Sequence, residues 1–174
     1  MQFLTIFETF EGQTGKIVKR VRQQLQDAGH DVRMFDTEDK LAPLSFDGID
    51  KVVLAAPVHE RRHPPNFELT VSTNLDELKT RPSLMISVSL KAAFSESLEE
   101  AHDYLAEMKL RTGFAPDTES LTAGAVRTSS YDYFERQVVQ HVALEGQNVT
   151  LVDGEREFTD WGKLEAEVAA FVEA

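Results

Sequence analysis

The sequence predicts an α/β fold built on a parallel sheet, and three observations carry that expectation. Short apolar runs alternate with stretches whose apolar residues recur at helical spacing, the pattern that repeated strand–helix–strand crossovers require. One run, KVVLAAPV at 51–58, is continuously apolar, as a strand buried on both faces is. The first run, at 2–7, gives way to a polar loop holding Gly12, Gln13 and Thr14 that opens directly into a helical pattern.

QFLTIF (2–7) is rich in β-branched and aromatic residues and reads as strand one. Ile17, Val18, Val21 and Leu25 then share one face of a helix, with Gly29 at its C-terminal stop. HDVRMFD (30–36) is a second strand, and a polar connection ending at Asp50 leads to the third strand at 51–58. After Pro64 and Pro65, residues Phe67, Leu69, Val71, Leu75 and Leu78 partly fit a helix over 66–80, which a parallel neighbour requires as a crossover. SLMISVSL (83–90) is the fourth strand. The stretch 95–113 is the clearest helix: Ser95 is placed to cap it, Leu98, Ala101, Tyr104, Leu105 and Met108 form one face, and Gly113 ends it. SLTAGAV (120–126) is a fifth strand interrupted by Gly124. A helix is expected over 131–144, then a loop over 145–157 able to hold a short strand, then a last helix capped by Thr159 or Asp160 and bearing Leu164, Val168, Phe171 and Val172. With no repeat, low-complexity tract or linker, residues 1–174 read as a single domain.

Composition narrows the function classes. Thirty acidic against 18 basic residues give a net charge of −12, and no Lys/Arg cluster stands out, so nucleic acid is not expected as a partner and membrane association is at most weak. The chain has no cysteine, which excludes disulfides, thiolate metal sites and cysteine nucleophiles, and agrees with a reducing compartment. No apolar run approaches the roughly 18 residues that span a bilayer, and the N-terminal run lacks a basic leader. A soluble cytoplasmic protein is expected; the sequence leaves its oligomeric state unknown.

In open parallel sheets ligands bind at the carboxyl ends of the strands, which here collects loops 8–15, 56–66 and 89–97. The first lacks the glycine pair and Lys-Ser/Thr of a Walker loop, and the three spaced glycines of a dinucleotide loop. Thr9, Gly12 and Thr14, opening a helix, suit a single phosphomonoester, because first-turn amides lack intrahelical partners and carry the positive end of the helix dipole. Spacing alone leaves open an ordinary strand-to-helix turn with a threonine cap. In the second loop His59, Glu60 and His63 spell H-E-x-x-H, the zinc peptidase pattern. That pattern needs a helix, which Pro64 and Pro65 forbid, so a polar loop is expected and no metal site. Ser87, His102 and Asp103 form no recognisable nucleophile constellation. Trp161 reads as a packing anchor; Tyr131 and Tyr133 fit either the mouth of the third loop or the core.

Taken together, the EGQT loop at 11–14 behind its apolar strand, KVVLAAPV followed by a His/Arg-rich loop, ISVSL, TAGAV with Arg127, and FTDW from Phe158 resemble the flavodoxin-like family of bacterial menaquinone-dependent protoporphyrinogen IX dehydrogenases. The resemblance runs from residue 2 to about residue 172. It implies a flavodoxin-like three-layer sandwich with a five-stranded parallel sheet in order 2-1-3-4-5, noncovalently bound FMN, redox chemistry and a place in heme biosynthesis. By position it puts Thr9, Phe10, Glu11, Gly12, Gln13 and Thr14 around the phosphate. Pro57, Val58 and His59 fall on one side of the isoalloxazine, with Ser89, Leu90 and Lys91 on the other. His59 is the candidate catalytic residue, since it falls beside the flavin and histidine is the residue type suited to proton transfer at neutral pH.

The chain departs from the family in ways that bear on ligand and substrate. Glu8 and Glu11 stand beside a site meant for a dianion and repel it unless they point outward or pair with Lys16 or an arginine. Loops two and three offer only His59, His63 and Phe94 as aromatic partners for a flavin, and KAAFSESLEEAHDYLAE (91–107) is acidic where the family is basic. The expected function is an FMN-binding oxidoreductase passing electrons from an organic substrate to a quinone or other acceptor. Its partners would be a small redox substrate or a redox protein. The alternatives are a non-enzymatic electron carrier and a scaffold that has lost FMN.

Overall fold

The computed structural model describes residues 1–10, 12–127, 146–147, 149–152 and 154–174. Five parallel strands, β1 (Gln2–Phe7), β2 (Asp31–Asp36), β3 (Lys51–Pro57), β4 (Ser83–Ser89) and β5 (Thr118–Ala123), form one sheet in the order β2-β1-β3-β4-β5. The helices are α1 (Gln13–Asp27), α2 (Pro65–Thr73), α3 (Leu75–Leu78), α4 (Leu98–Thr112) and α5 (Trp161–Glu173). This is the order that the resemblance implies.

Side-chain alternation along the strands divides the interior into two cores. Leu4, Ile6, Val52, Leu54 and Met85 point to the face covered by Phe67 and Val71 of α2 and Leu105 and Met108 of α4. Phe3, Val53, Ala55, Leu84 and Ile86 point to the other, covered by Ile17, Val18, Val21 and Leu25 of α1 and Leu164, Val168 and Phe171 of α5. Both faces of β3 and β4 are therefore dry, which explains their uninterrupted apolar runs. Trp161 packs against the α1/α5 core, as expected of an anchor.

Several boundaries differ from the sequence reading. The expected helix over 66–80 divides at Asn74. Thr70, Ser72 and Thr73 turn their hydroxyls back onto the helix's own carbonyls, and Asn74 Nδ2 donates to Thr70 O at 2.7 Å, so the polar side chains compete with helical pairing. Ser95 does not cap the helix at 95–113. It lies in the second of two short 3-10 turns, Lys91–Ala93 and Ser95–Ser97, and α4 starts at Leu98. Gly113, at φ 72°, ends α4 as expected. At the last helix it is Asp160 that caps, accepting from the Lys163 amide at 2.9 Å.

The fifth strand stops at Ala123. Beyond Gly124 the chain leaves the sheet as β6 (Ala125–Arg127), which pairs antiparallel with β7 (Glu155–Glu157), the short strand expected within 145–157. Gly124 sits where a Cβ would come 3.4 Å from Val88 Cγ1, and its amide donates to Ser89 O at 3.1 Å. The helix expected over 131–144, with Tyr131 and Tyr133, lies outside the described residues. Among the described residues no helix is long and apolar enough to cross a membrane.

Lys51 shows how the charged end of β3 is accommodated. Its buried ammonium donates to Phe171 O at 2.9 Å and Val172 O at 3.1 Å, satisfying C-terminal carbonyls of α5 that have no intrahelical donor. Lys51→Met, which keeps the stem and removes the donors, is expected to lower stability by about 1–3 kcal/mol, read as a reduced urea midpoint with an unchanged m-value.

Candidate functional site

Because β1, β3 and β4 are neighbours, the loops at their carboxyl ends converge. Loop one follows β1. Gly12 has φ 88°, a left-handed conformation that favours glycine, and delivers the chain into α1 with no side-chain cap and no acidic residue in the first turn. The amides of Gln13 and Thr14 have no intrahelical acceptor by position. The Gly15 amide donates to Thr9 Oγ1 at 3.2 Å, so the hydroxyl of Thr9 ties the loop to the start of α1.

The side chain of Gln13 is committed elsewhere. Its Nε2 donates to Thr159 Oγ1 at 2.8 Å, its Oε1 accepts from Arg127 Nη2 at 2.8 Å, and the Thr159 hydroxyl donates onward to Ala123 O at 2.7 Å. Only the Gln13 backbone is left to face a ligand. Arg127 and Thr159 are members of the site that sequence reasoning did not assign. Both lie in stretches already singled out, TAGAV-Arg and FTDW, but more than a hundred residues from the loop they hold. Lys16 turns outward to Glu157 at 3.2 Å.

Glu8 does not stand beside loop one as expected. Residues alternate along β1, and Glu8 falls on the α2/α4 side, 1% exposed, where Thr37 Oγ1 donates to its carboxylate and the Phe67 amide in the first turn of α2 faces it. Burial raises its pKa, with Glu38 and Asp36 adding to the effect against the hydrogen bond from Thr37. The repulsion anticipated from Glu8 is thus directed away from loop one. Glu11 lies outside the described residues.

Loop two leaves β3 at Pro57, and the Val58 amide keeps it in register by donating to Val88 O at 2.7 Å. His59 and Arg62 then exchange backbone hydrogen bonds of 2.9 and 3.0 Å around Glu60 and Arg61, whose φ values are 48° and 66°. That two-residue turn, with left-handed residues at both centres, replaces the helix a zinc peptidase motif needs. His59 is exposed and meets Phe10 of loop one edge to face, ring centroids 6.0 Å apart. His63 is fully buried and bonded through Nε2 to Ser87 Oγ at 2.9 Å. Among the described residues no group of three or more His, Cys, Asp or Glu could hold a metal.

Loop three begins where Ser89 Oγ accepts from the Ala92 amide at 3.2 Å; Leu90 lies half-buried beside it. Lys91 reaches Glu100 at 3.1 Å, and Arg61 reaches the same carboxylate at 3.0 Å, so Glu100 joins loops two and three. The Tyr104 hydroxyl also donates to Glu100, which together with the two cations holds that carboxyl below the usual range, while burial and the neighbouring carboxylate push the Tyr104 phenol up. Beyond loop three a cleft of about 550 Å³ opens between the Lys91–Ala93 turn, β5 and the start of α5, with Ala92, Ala93, Leu121, Phe158 and Lys163 on its walls.

A parallel sheet in order 2-1-3-4-5, with α1 and α5 on one face and α2 and α4 on the other, defines a flavodoxin-type fold. The chain belongs to the family described as "Flavodoxin domain", which it matches over residues 4–151. It is similar to protoporphyrinogen IX dehydrogenase [quinone] of Escherichia coli strain K12, 24% identical over 162 residues, covering 92% of this chain and 89% of that one. Among solved structures it resembles oxidised Flavodoxin 1 from Bacillus cereus (TM-score 0.58, 14% identity, 99% of this chain and 98% of that chain). It also resembles Fusobacterium nucleatum flavodoxin bound to flavin mononucleotide (TM-score 0.50, 12% identity, 99% and 95%).

His63 gives the site an acid-sensitive anchor. Burial first, and Arg111 nearby, hold its pKa at about 4 despite the opposing pull of Glu68. The unfolded chain therefore takes up a proton near the ordinary value of about 6.5 while the folded chain does not, and stability falls as pH drops from about 6.5 towards 4. Glu8, whose pKa is raised, contributes in the opposite sense. His63→Gln, which keeps a partner for Ser87, is expected to flatten the loss of urea-unfolding free energy between pH 7 and pH 5; an unchanged slope would exclude His63 as its source.

Proposed function

We propose that the protein is an FMN-dependent oxidoreductase that takes electrons from a bulky organic substrate, of the porphyrinogen class named for the Escherichia coli relative, and passes them to a quinone or another acceptor. The observation that carries this reading is the turn from Thr9 to Thr14. It combines a left-handed Gly12, Gln13 and Thr14 amides that have no intrahelical acceptor, and an acidic neighbour, Glu8, folded away onto the opposite side of the strand. That donor set suits a phosphomonoester.

FMN, when bound, supplies reversible acceptance of two electrons. The chain's part is to bind and orient. The backbone of Gly12, Gln13 and Thr14, with Thr9 closing the loop, would hold the phosphate. Pro57, Val58 and His59 would bound the ring system on one side and Ser89, Leu90 and Lys91 on the other, with Phe10 and His59 at the rim. His59, exposed at that rim, is the group to which we assign transfer of the substrate proton through its imidazole nitrogens. The cleft beside loop three falls within the size range of small-molecule sites, and Ala92, Ala93, Leu121 and Phe158 are among its lining residues, which suits a ring-bearing substrate. The net charge of −12 favours a second reading, a carrier that docks on a basic redox protein.

Titration of the purified protein into FMN, followed by flavin fluorescence quenching, tests the reading. Thr14→Ala and Gly12→Ala are each expected to weaken binding by about tenfold or more, the latter because alanine is disfavoured at φ 88° by roughly 1–2 kcal/mol. An absence of quenching by the unaltered protein overturns FMN binding. With FMN bound, oxidation of protoporphyrinogen coupled to reduction of a soluble quinone distinguishes enzyme from carrier: a carrier binds the flavin and shows no turnover. His59→Ala is expected to depress kcat while leaving FMN affinity little changed.

A further inference from the structure

The oxidoreductase reading names two ring-bearing reactants, a porphyrinogen and a quinone, and the charges bordering the cleft beside loop three distinguish them. The cleft, of about 550 Å³, lies along β5, an edge strand of the five-stranded sheet. Leu98, Leu121, Phe158 and Leu164 supply apolar lining. Most of the polar lining is committed elsewhere. Glu119 pairs with Lys109 at 2.6 Å, Asp160 accepts from the Lys163 amide at 2.9 Å, and Thr122 Oγ1 lies 2.9 Å from Ser120 Oγ. Two side-chain donors are left to meet a ligand. Lys163 Nζ donates to Leu121 O at 3.2 Å and to Glu167 at 2.7 Å, which holds the ammonium at the sheet edge and uses two of its three protons. His102, exposed on α4, lines the same cleft. These donors come from helices that cover opposite faces of the sheet.

Charge decides against a carboxylate-bearing ring. The cleft is bordered by the carboxylates of Glu119, Asp160 and Glu167 against the ammoniums of Lys109 and Lys163, and Glu99 and Asp103 flank His102 along α4. The carboxylate arms of a porphyrinogen would meet like charge there and lose hydration. A quinone is flat, uncharged and apolar apart from two carbonyl oxygens at opposite ends of its ring. Donors arriving from two sides match that arrangement.

Resting on the oxidoreductase reading, we propose that this cleft is the site of the quinone acceptor, with Lys163 and His102 donating to its two carbonyl oxygens. Ala92 and Ala93 line the cleft and belong to the Lys91–Ala93 turn of loop three, so a quinone here lies across that turn from the crevice assigned to the flavin ring. Reduction to the hydroquinone takes two electrons, drawn from the organic substrate in the proposed reaction, and two protons, which reach the oxygens from solvent at the open cleft.

Equilibrium dialysis of menadione, a soluble para-naphthoquinone, against the flavin-free protein reads the site by itself, and the chain has no cysteine thiol to add to the quinone. Saturable binding is expected. Lys163→Met and His102→Phe should each weaken it about threefold to tenfold, the loss of one hydrogen bond. Lys163→Arg and His102→Gln, which keep a donor, should retain most of the affinity, and protoporphyrin IX should not displace menadione. With FMN bound, Lys163→Met should raise KM for the quinone and not for the porphyrinogen. Absence of saturable menadione binding overturns the assignment, as does binding indifferent to both Lys163→Met and His102→Phe. Displacement by protoporphyrin IX also overturns it and makes the cleft the porphyrinogen site. If Lys163→Met folds poorly, His102→Phe, at an exposed position, carries the same comparison. Protein that binds menadione and no FMN overturns the flavin reading and leaves the quinone site standing; protein that binds FMN and no menadione does the reverse.

Discussion

Parallel pairing of β1 with both β2 and β3 is the constraint on which the rest of the molecule depends. A parallel partner cannot be reached by a hairpin, so each connection must cross a face of the sheet. The crossover from β1 to β2 takes α1 to one face, and the crossover from β3 to β4 takes α2 to the other. The chain therefore parts at the carboxyl ends of β1 and β3, and a crevice opens there without any dedicated element to form it. Everything assigned to the site hangs on that parting: the Gly12 turn, the His59–Arg62 hairpin against it, and the Phe10–His59 ring contact across it.

The features legible in the sequence are those that this constraint imposes locally. Strands buried on both faces have to be apolar throughout, so 51–57 and 83–89 announce themselves; helices buried on one face have to show a stripe, so α1, α4 and α5 do too. Less legible were places where two local signals compete. Ser95 looks like a cap because it precedes the apolar stripe, but the chain leaving Ser89 spends two 3-10 turns before it can become helical, and Ser97 Oγ is drawn back to Lys91 O at 2.8 Å. Thr159 and Asp160 were equivalent cap candidates until the sheet placed Ala123 O beside the threonine. The direction of Glu8 was in principle readable, since strand alternation opposes it to Phe7, but only once it is known which face carries α1. Arg127 was out of reach for a different reason: its partner Gln13 is distant in sequence, and nothing local in TAGAVR specifies where the chain goes after leaving the sheet.

Electrostatics at the site are decided over short distances. At physiological ionic strength charges are screened beyond about 8 Å, so a net charge of −12 spread over the surface matters less to a bound anion than which groups border it. Among the described residues the bordering carboxylates are engaged elsewhere. Glu8 is buried on the far side of its strand, Glu157 engages Lys16 and Trp161, and Glu100 is shared by Arg61 and Lys91. Glu68 is treated the same way at the base of loop two: burial alone would raise its pKa, but hydrogen bonds from Arg111 and Arg62 outweigh burial and keep the carboxyl below its ordinary value.

The turn at Glu60 and Arg61 shows why loop two nonetheless keeps its shape. Two side-chain-bearing residues in left-handed conformation together cost a few kcal/mol, and no asparagine or glycine relieves them. The Arg61–Glu100 ion pair cannot offset this alone, because Arg61 is 65% exposed and exposed pairs contribute about 0–1 kcal/mol. The turn must be held from its ends. On one side Val58 is locked to β4, and on the other His63 is buried against Ser87 immediately before Pro64 and Pro65 commit the chain to α2. Both anchors are on β4, the strand that also carries loop three. Strain in loop two is therefore borne by the same strand that sets the opposite wall of the crevice, so the spacing between the two walls follows from the sheet and not from the exposed loops.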